Sequence, residues 1–301
     1  MRTADSLLEG TPCPGCGEKD VAPYRLERFQ FPDSETMNLG HNICPSCDLR
    51  YTSPRLNEAG LSLLYGDHYE EKTVSGIYNV QDDVSVHEYD SFERYIRENL
   101  PEGGNVLDVG CGVGLLLERM REIENVDPVG LEFSTFALKE ARERGFEVIQ
   151  GMIQDAEIEP ESFDAATILY VLEHVPNPLE VLESVADVLK EGGWLFLSVP
   201  NYRYLRLIAD NPLAIALRGE KASLHPQEHL LNYTPSSITK LVQRAGFEVV
   251  GVEMARPLNA GPPYIQAAKK LLYGAVKIAQ IAGYQVGGIH LLCRKGRVKA
   301  E

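Results

Sequence analysis

The sequence is short of basic residues, of tryptophan and of long apolar runs. Of its 301 residues, 29 are Lys or Arg against 44 Asp or Glu, for a net charge of −15. Broad binding to a nucleic-acid backbone needs a basic footprint, so this balance disfavours a nucleic-acid partner. No stretch reaches the ~18 uninterrupted apolar residues of a membrane span. The best candidate, 271–292, is broken by Lys277, Gln280, Gln285 and His290. The opening Met1–Ser6 has no apolar run of the kind an export leader carries. Together these absences exclude a transmembrane segment and predict a cytoplasmic protein.

What is present is a globular composition, 44% hydrophobic and 24% charged, in a length that suggests about two domains, the second small. Four of the six cysteines form two matched pairs, Cys13-Pro-Gly-Cys16 and Cys44-Pro-Ser-Cys47, with 27 residues between them. Two residues between thiols let one tight turn aim both sulfurs at one point, and two such turns complete a tetrahedral four-sulfur site. Gly15 and Gly17 loosen the first turn, while Pro14 and Pro45 stiffen both. A chain with no export signal favours a metal over disulfides, and the spacing predicts one structural Zn²⁺ held by Cys13, Cys16, Cys44 and Cys47. His41 stands near and reads as a solvated loop residue. Cys111 and Cys293 sit in apolar runs and read as core thiols.

Residues 1–55 are therefore expected to form a zinc-ribbon module. A helical pattern follows at 57–65, then the turn Gly66-Asp67 and a polar stretch to 85, so that 56–85 reads as a linker or flap. A helix with Tyr89, Phe92, Ile96 and Leu100 on one face is predicted from Val86 to Leu100. Beyond Asn105 the chain alternates strands and amphipathic helices. Strands are predicted at Val106–Val109, Pro128–Glu132, Phe146–Gln150, Phe163–Leu169, Trp194–Val199, Phe247–Met254 and Gly288–Arg294. Helices are predicted at Leu115–Ile123, from a Ser134 cap to Gly145, at Leu179–Lys190, and from Thr234-Pro235 to Gly246. Such alternation argues a doubly wound α/β sheet, in which ligands bind beyond the carboxyl ends of the strands.

At the first strand–turn–helix of this series stands Val106-Leu-Asp108-Val-Gly110-Cys-Gly112-Val-Gly114. Alternate glycines let backbone amides approach a ligand with no Cβ between, and the helix start adds donors for an anionic group. The dinucleotide fingerprint needs glycine at position 115, where Leu115 stands, so a nicotinamide cofactor is disfavoured.

Over about residues 86–295 the chain resembles the class I S-adenosylmethionine-dependent methyltransferases. The resemblance implies a seven-stranded, mostly parallel, Rossmann-like sheet across a domain spanning 86–301. It places the methionine end of S-adenosylmethionine on Gly110, Gly112 and Gly114, with Asp108 orienting the loop and the cofactor's amino group. Glu132, at the end of the second strand, matches the acid that accepts both ribose hydroxyls. Gly151-Met-Ile-Gln-Asp155 matches the adenine pocket, with Met152 and Ile153 along the ring and Asp155 or Gln154 at the exocyclic amine. Ile168-Leu-Tyr-Val-Leu-Glu173-His174 resembles the fourth-strand signature, whose backbone near Leu169 and Tyr170 flanks the methyl-bearing sulfur. The Asn-Pro-Pro-Tyr signature of enzymes that methylate base amines is missing. His174 reads as a packing residue that orients the neighbouring loop.

The segment 201–233, an insertion after the fifth strand, is placed to supply an acceptor site. Its Glu228-His229 pair joins a carboxylate to an imidazole whose ordinary pKa suits proton abstraction near neutrality, so His229 is the candidate general base. Zinc-knuckle sugar methyltransferases show a similar Glu-His pair before an aromatic residue, here Tyr233. Tyr202, Arg203, Tyr204 and Arg206 could bind a sugar phosphate, or lie in a solvated loop. A second insertion, 256–287, holds a helix at about 263–282 bearing Lys270 and Lys277. It is expected to pack as a lid or dimer contact, with a membrane-surface role as its alternative. The whole chain is similar to methyltransferases of glycan and secondary-metabolite pathways. That similarity implies methyl transfer to an oxygen or carbon of a small, sugar-linked acceptor. Its rivals are RNA or protein methylation guided by the ribbon, and a non-catalytic module that only binds S-adenosylmethionine.

Overall fold

The computed structural model describes residues 4–30, 36–57, 59–60, 86–203, 205, 229–254 and 288–296. Most of the helix expected at 57–65 lies outside them. So do the turn and flap at 66–85, Tyr204, Arg206, Glu228 and the helix at 263–282.

The amino-terminal part contributes β1 (Leu8–Glu9), β2 (Arg25–Gln30), β3 (Thr36–Ile43), β4 (Arg50–Thr52) and β5 (Arg55–Leu56). There follow α1 (Val86–Asn99), β6 (Gly104–Val109), α2 (Leu115–Arg121), β7 (Val126–Glu132), α3 (Thr135–Glu143), β8 (Val148–Gln150), β9 (Phe163–Leu169), α4 (Pro178–Val188) and β10 (Leu189–Val199). The chain closes with β11 (Leu231–Asn232), α5 (Pro235–Arg244), β12 (Phe247–Met254) and β13 (Ile289–Lys295).

Seven strands form the main sheet in the order β12-β13-β10-β9-β6-β7-β8. The pairs from β10 to β8 are parallel, and β13 runs antiparallel to both its neighbours. Central strands buried on both faces need apolar residues in sequence rather than in alternation, and β6 supplies Val106, Leu107 and Val109, all buried. The helices wind on both faces. Phe92 and Ile96 of α1, Leu116, Leu117 and Met120 of α2, and Leu138 of α3 share one core with Val106 and Phe196. Val181, Leu182 and Val185 of α4 and Ile238, Leu241 and Val242 of α5 fill the other.

The caps explain where these helices begin. Ser134 accepts a hydrogen bond from the Ala137 amide and starts α3. Thr234 and Ser237 form a reciprocal capping box with Pro235 in the first turn of α5. Helix α2 differs: its cap is Gly114, at φ 85°, which has no side chain to take its first amides.

The amino-terminal sheet runs β11-β4-β3-β2, so its fourth strand comes from residues 231–232, far along the chain. Cys13, Cys44, Cys47, Leu49 and Tyr51 belong to the same core as α4 and α5. The module is thus welded to one face of the main domain. His41 departs from expectation. It is a buried residue of β3, its Nε2 3.0 Å from Glu27 Oε2, because the unanticipated β2–β3 hairpin carries it inward. Cys111 and Cys293 are buried free thiols, as core thiols should be.

Candidate active site

The carboxyl end of β6 turns into α2 through Gly110, Gly112 and Gly114, whose φ angles are 75°, 55° and 85°. L-residues rarely adopt this left-handed region, at a cost of about 1–2 kcal/mol each, so the glycines serve the backbone as well as any ligand. A Cβ on Gly110 would fall 2.4 Å from Val171 Cγ2, and one on Gly114 2.8 Å from Phe146 Cδ2. The turn is tied to the end of β7. The amides of Gly110 and Cys111 both donate to the Leu131 carbonyl, at 2.8 and 3.1 Å. Glu132 Oε2 accepts from the Gly112 amide at 2.9 Å, and its Oε1 from Ser134 at 2.7 Å. Glu132 is therefore no solvated strand-end acid; it is buried, and both its oxygens face backbone donors.

Asp108 lies one strand away and is also buried. Thr167 Oγ1 on β9 donates to its Oδ1 at 2.6 Å. Burial pushes the Asp108 carboxyl up to about 7; the Thr167 bond opposes this and the charge of Glu132 adds to it.

The turn after β8 joins the same corner, for the Gly151 amide donates to the Glu132 carbonyl at 3.1 Å. Ile153 is buried there, whereas Asp155 is exposed. Gln154 Oε1 is buried and has no partner among the described residues, which makes it the acceptor in waiting at this turn.

Beyond β9, half-buried Leu169 leads to Tyr170, a non-glycine residue at φ 53° whose amide donates to the Ser198 carbonyl. This sharp exit carries Val171 onto Gly110 and drives Glu173 inside. His174 stays at the surface, its Nε2 3.9 Å from Glu173 Oε1. His229 meets it edge to face, with ring centroids 4.9 Å apart. The sequence pairs His229 with Glu228; the fold pairs it with His174, a contact across 55 positions that local spacing does not signal. Carboxylate and ring nitrogen atoms of Glu173, His174 and His229 all lie within 4.8 Å of one another, a donor set that could also hold a cation. Tyr202 is buried, with its hydroxyl 3.1 Å from that of Tyr24 and the Arg50 guanidinium 4.6 Å over its ring.

The four amino-terminal cysteines converge at a separate point. Cys13 Sγ lies 3.6 Å from Cys47 Sγ, and Cys16 Sγ 3.4 Å from Cys44 Sγ. Tetrahedral sulfurs at about 2.3 Å from a zinc ion stand about 3.8 Å apart, so the donor set fits with a small outward adjustment. Both turns are closed by backbone bonds, Gly17 to the Cys13 carbonyl and Asp48 to that of Cys44. The hydrogen bond from the Cys13 thiol beside it holds Cys47 below the ordinary thiol range.

Comparison with known proteins agrees with this geometry. A family model described as a methyltransferase domain matches residues 85–252. The ubiquinone biosynthesis O-methyltransferase of Aliivibrio fischeri is 35% identical over 170 residues, 52% of this chain and 70% of that protein. Its Vibrio cholerae counterpart is 33% identical over 162 residues, 50% of this chain and 63% of that one. Among solved structures, a chain from the complex of the Haloferax volcanii Trm112 methyltransferase activator with a methyltransferase superposes at TM-score 0.51 and 15% identity. It covers 79% of this chain and 98% of that one. The family match takes in more than half of the sequence, including the glycine turn, both buried acids and the Glu173-His174 loop: the chain belongs to the methyltransferase domain family and is an S-adenosylmethionine-dependent methyltransferase.

Proposed function

We propose that this protein methylates an oxygen of a small hydroxylated acceptor, and that the corner formed by β6, β7 and the turn after β8 holds S-adenosylmethionine. The observation that carries this reading is the left-handed glycine turn anchored to the Glu132 carboxylate. Bound there, S-adenosylmethionine supplies a methyl group already made electrophilic by its sulfonium. Gly110, Gly112 and Gly114 leave backbone room for its methionine end, and Asp108 meets its amino group. Glu132 exchanges its backbone donors for ribose hydroxyls, two adjacent donors suited to one carboxylate. Ile153 packs on the adenine, with Gln154 or Asp155 at the amine; the buried Gln154 oxygen, without a partner among the described residues, supports the former. Leu169 and Tyr170 flank the reacting end.

The chain's own part in the chemistry is to place the acceptor in line and to take its proton. His229 is the candidate base, and His174, backed by buried Glu173, holds its ring. Similarity to O-methyltransferases of ubiquinone biosynthesis supports an oxygen acceptor. Tyr202, buried with Tyr24 at its hydroxyl and Arg50 over its ring, lends no support to a sugar-linked acceptor. The cysteine cluster holds one structural zinc ion in a module of residues 1–55, joined through 56–85 to a methyltransferase domain of 86–301. Among the described residues no helix is long and apolar enough to cross a membrane, and the acidic charge supports a small molecule over nucleic acid as acceptor. The test is release of S-adenosylhomocysteine across a panel of phenols, catechols, nucleotide sugars, amines and RNA. Turnover with a hydroxyl acceptor, cut about 10²-fold by His229→Asn, supports the reading; turnover confined to amines or RNA overturns it.

A further inference from the structure

Residues 229–234 hold only the two-residue strand β11 as regular structure, yet 230–234 are buried and tied on both sides. Strand β11 is two residues long, and a pair of strands that short does not hold itself in water. Along one edge it lies antiparallel to β4 of the amino-terminal module, with Leu231 opposite Tyr51 and Asn232 opposite Arg50. The Thr52 amide donates to the Leu230 carbonyl at 2.9 Å. Farther on, Thr234 Oγ1 donates to Asp48 Oδ2 at 3.2 Å. Along the other edge the Leu231 amide donates to the Glu173 carbonyl at 3.0 Å, and Tyr233 Oη to the Leu172 carbonyl at 3.1 Å. His229 is the residue just before this double-sided strap.

We propose that β4 is a positioning strand for the acceptor side of the site: it fixes the register of residues 230–234 and so sets His229 against His174. The proposal rests on His229 acting at the acceptor, as argued above, but adds what places it there. The register of β4 is itself set locally. It begins three residues after Cys47, on a turn in which Asp48, at φ 64°, donates to the Cys44 carbonyl while the Cys44 amide donates to Leu49. A slip of one residue along β4 would turn every side chain of β11 to the opposite face, putting Asn232 where apolar Leu231 is buried and taking His229 off its partner. The cofactor corner uses other strands, so the same slip leaves it alone. A module that merely added stability would instead affect both halves of the site alike.

Thr52 offers a clean handle, because its amide serves β11 while its Oγ1 has no partner among the described residues. Thr52→Pro removes that one donor, and Thr52→Val keeps it. Four quantities are read on each variant: zinc content, affinity for S-adenosylhomocysteine, hydrogen exchange at the Leu231 amide and at the Tyr202 amide, which donates to the Tyr233 carbonyl at 2.8 Å, and turnover. For Thr52→Pro we expect zinc content as in the unaltered protein and S-adenosylhomocysteine affinity within about 2-fold. Exchange at both amides should be faster by about 10-fold or more, and turnover lower by about 10²-fold, the scale of a 1 Å misplacement. Thr52→Val should match the unaltered protein. Should Thr52→Pro fail to fold, Asp48→Ala takes its place with the same readouts. Unchanged exchange and turnover in a folded variant overturn the proposal, as does a loss of cofactor affinity equal to the loss of turnover. An unaltered protein that binds no S-adenosylhomocysteine would refute the proposed function instead, and exchange at Leu231 would still decide the role of β4.

Discussion

Asp108→Asn is the substitution whose effect the structure fixes most closely. The unfolded chain ionises this carboxyl at the ordinary 3.8, whereas in the folded protein burial holds it near 7. A carboxyl raised in the folded state keeps its proton where the unfolded chain has lost it. Stability is therefore unaffected below pH 4, declines as pH rises from about 4 to about 7, and is flat above. The interval of roughly 3 pH units, at about 1.4 kcal/mol each, sets a ceiling of about 4 kcal/mol on that decline. Asparagine cannot ionise, and its Oδ1 still accepts from Thr167, so the variant escapes the decline and keeps the bond. Urea unfolding of both proteins at pH 5 and pH 8.5 measures this, since titrating groups that do not interact with Asp108 cancel in the difference. The variant should be the more stable at pH 8.5, by about 2–3 kcal/mol more than at pH 5, because the decline between about pH 4 and pH 5 is already complete at the lower pH. A difference that does not move with pH, or that grows in favour of the unaltered protein, refutes the buried-acid argument. The same variant should lose affinity for S-adenosylhomocysteine, because a neutral amide answers an ammonium group less well than a carboxylate.

Gly110→Ala combines a left-handed φ with a Cβ 2.4 Å from Val171 Cγ2. It should cost about 2–4 kcal/mol in the same unfolding assay, and a cost under 0.5 kcal/mol would show that the turn is free to relax. His290, buried on β13 against Phe92, is pushed down to about 4 by burial, although nearby Glu253 pulls it the other way. A depressed histidine contributes stability above pH 6.5 that is lost as pH falls toward 4. His290→Gln should therefore flatten the acid side of the stability profile by up to about 3 kcal/mol, and an unaltered slope refutes the assignment. Metal analysis of the purified protein should give about one zinc ion per chain, lost with Cys44→Ser; a metal-free protein with native exchange protection would dismiss the ion.

The parallel sheet was legible because its signals are local. Phe163–Leu169 and Phe247–Met254 read as strands with the bounds they have, since short apolar or alternating runs between turns fix both ends. Ser134 and Thr234-Pro235 announced their helices through cap chemistry. The cysteine spacing announced its cluster for the same reason: two residues between thiols is a statement about one turn. What escaped is what depends on distant partners. Strands β2 and β3, Arg-Leu-Glu-Arg-Phe-Gln and Thr-Met-Asn-Leu-Gly-His-Asn-Ile, are polar enough to read as loop, and only their pairing buries Leu39 and His41. Strand β11 exists because β4 lies beside it, about 180 positions earlier. The site divides the same way. Asp108, the glycines and Glu132 come from adjacent parallel strands and could be placed from sequence. The meeting of His229 with His174 comes from the strap and could not.

The central claim is that the glycine turn and Glu132 form the cofactor pocket, and calorimetric titration with S-adenosylhomocysteine tests it most directly. The unaltered protein should bind one equivalent. Glu132→Ala should weaken binding by about 10²-fold or more, as expected for two lost hydrogen bonds to a charged acceptor. Undiminished binding by that variant, or no binding by the unaltered protein, would contradict the account.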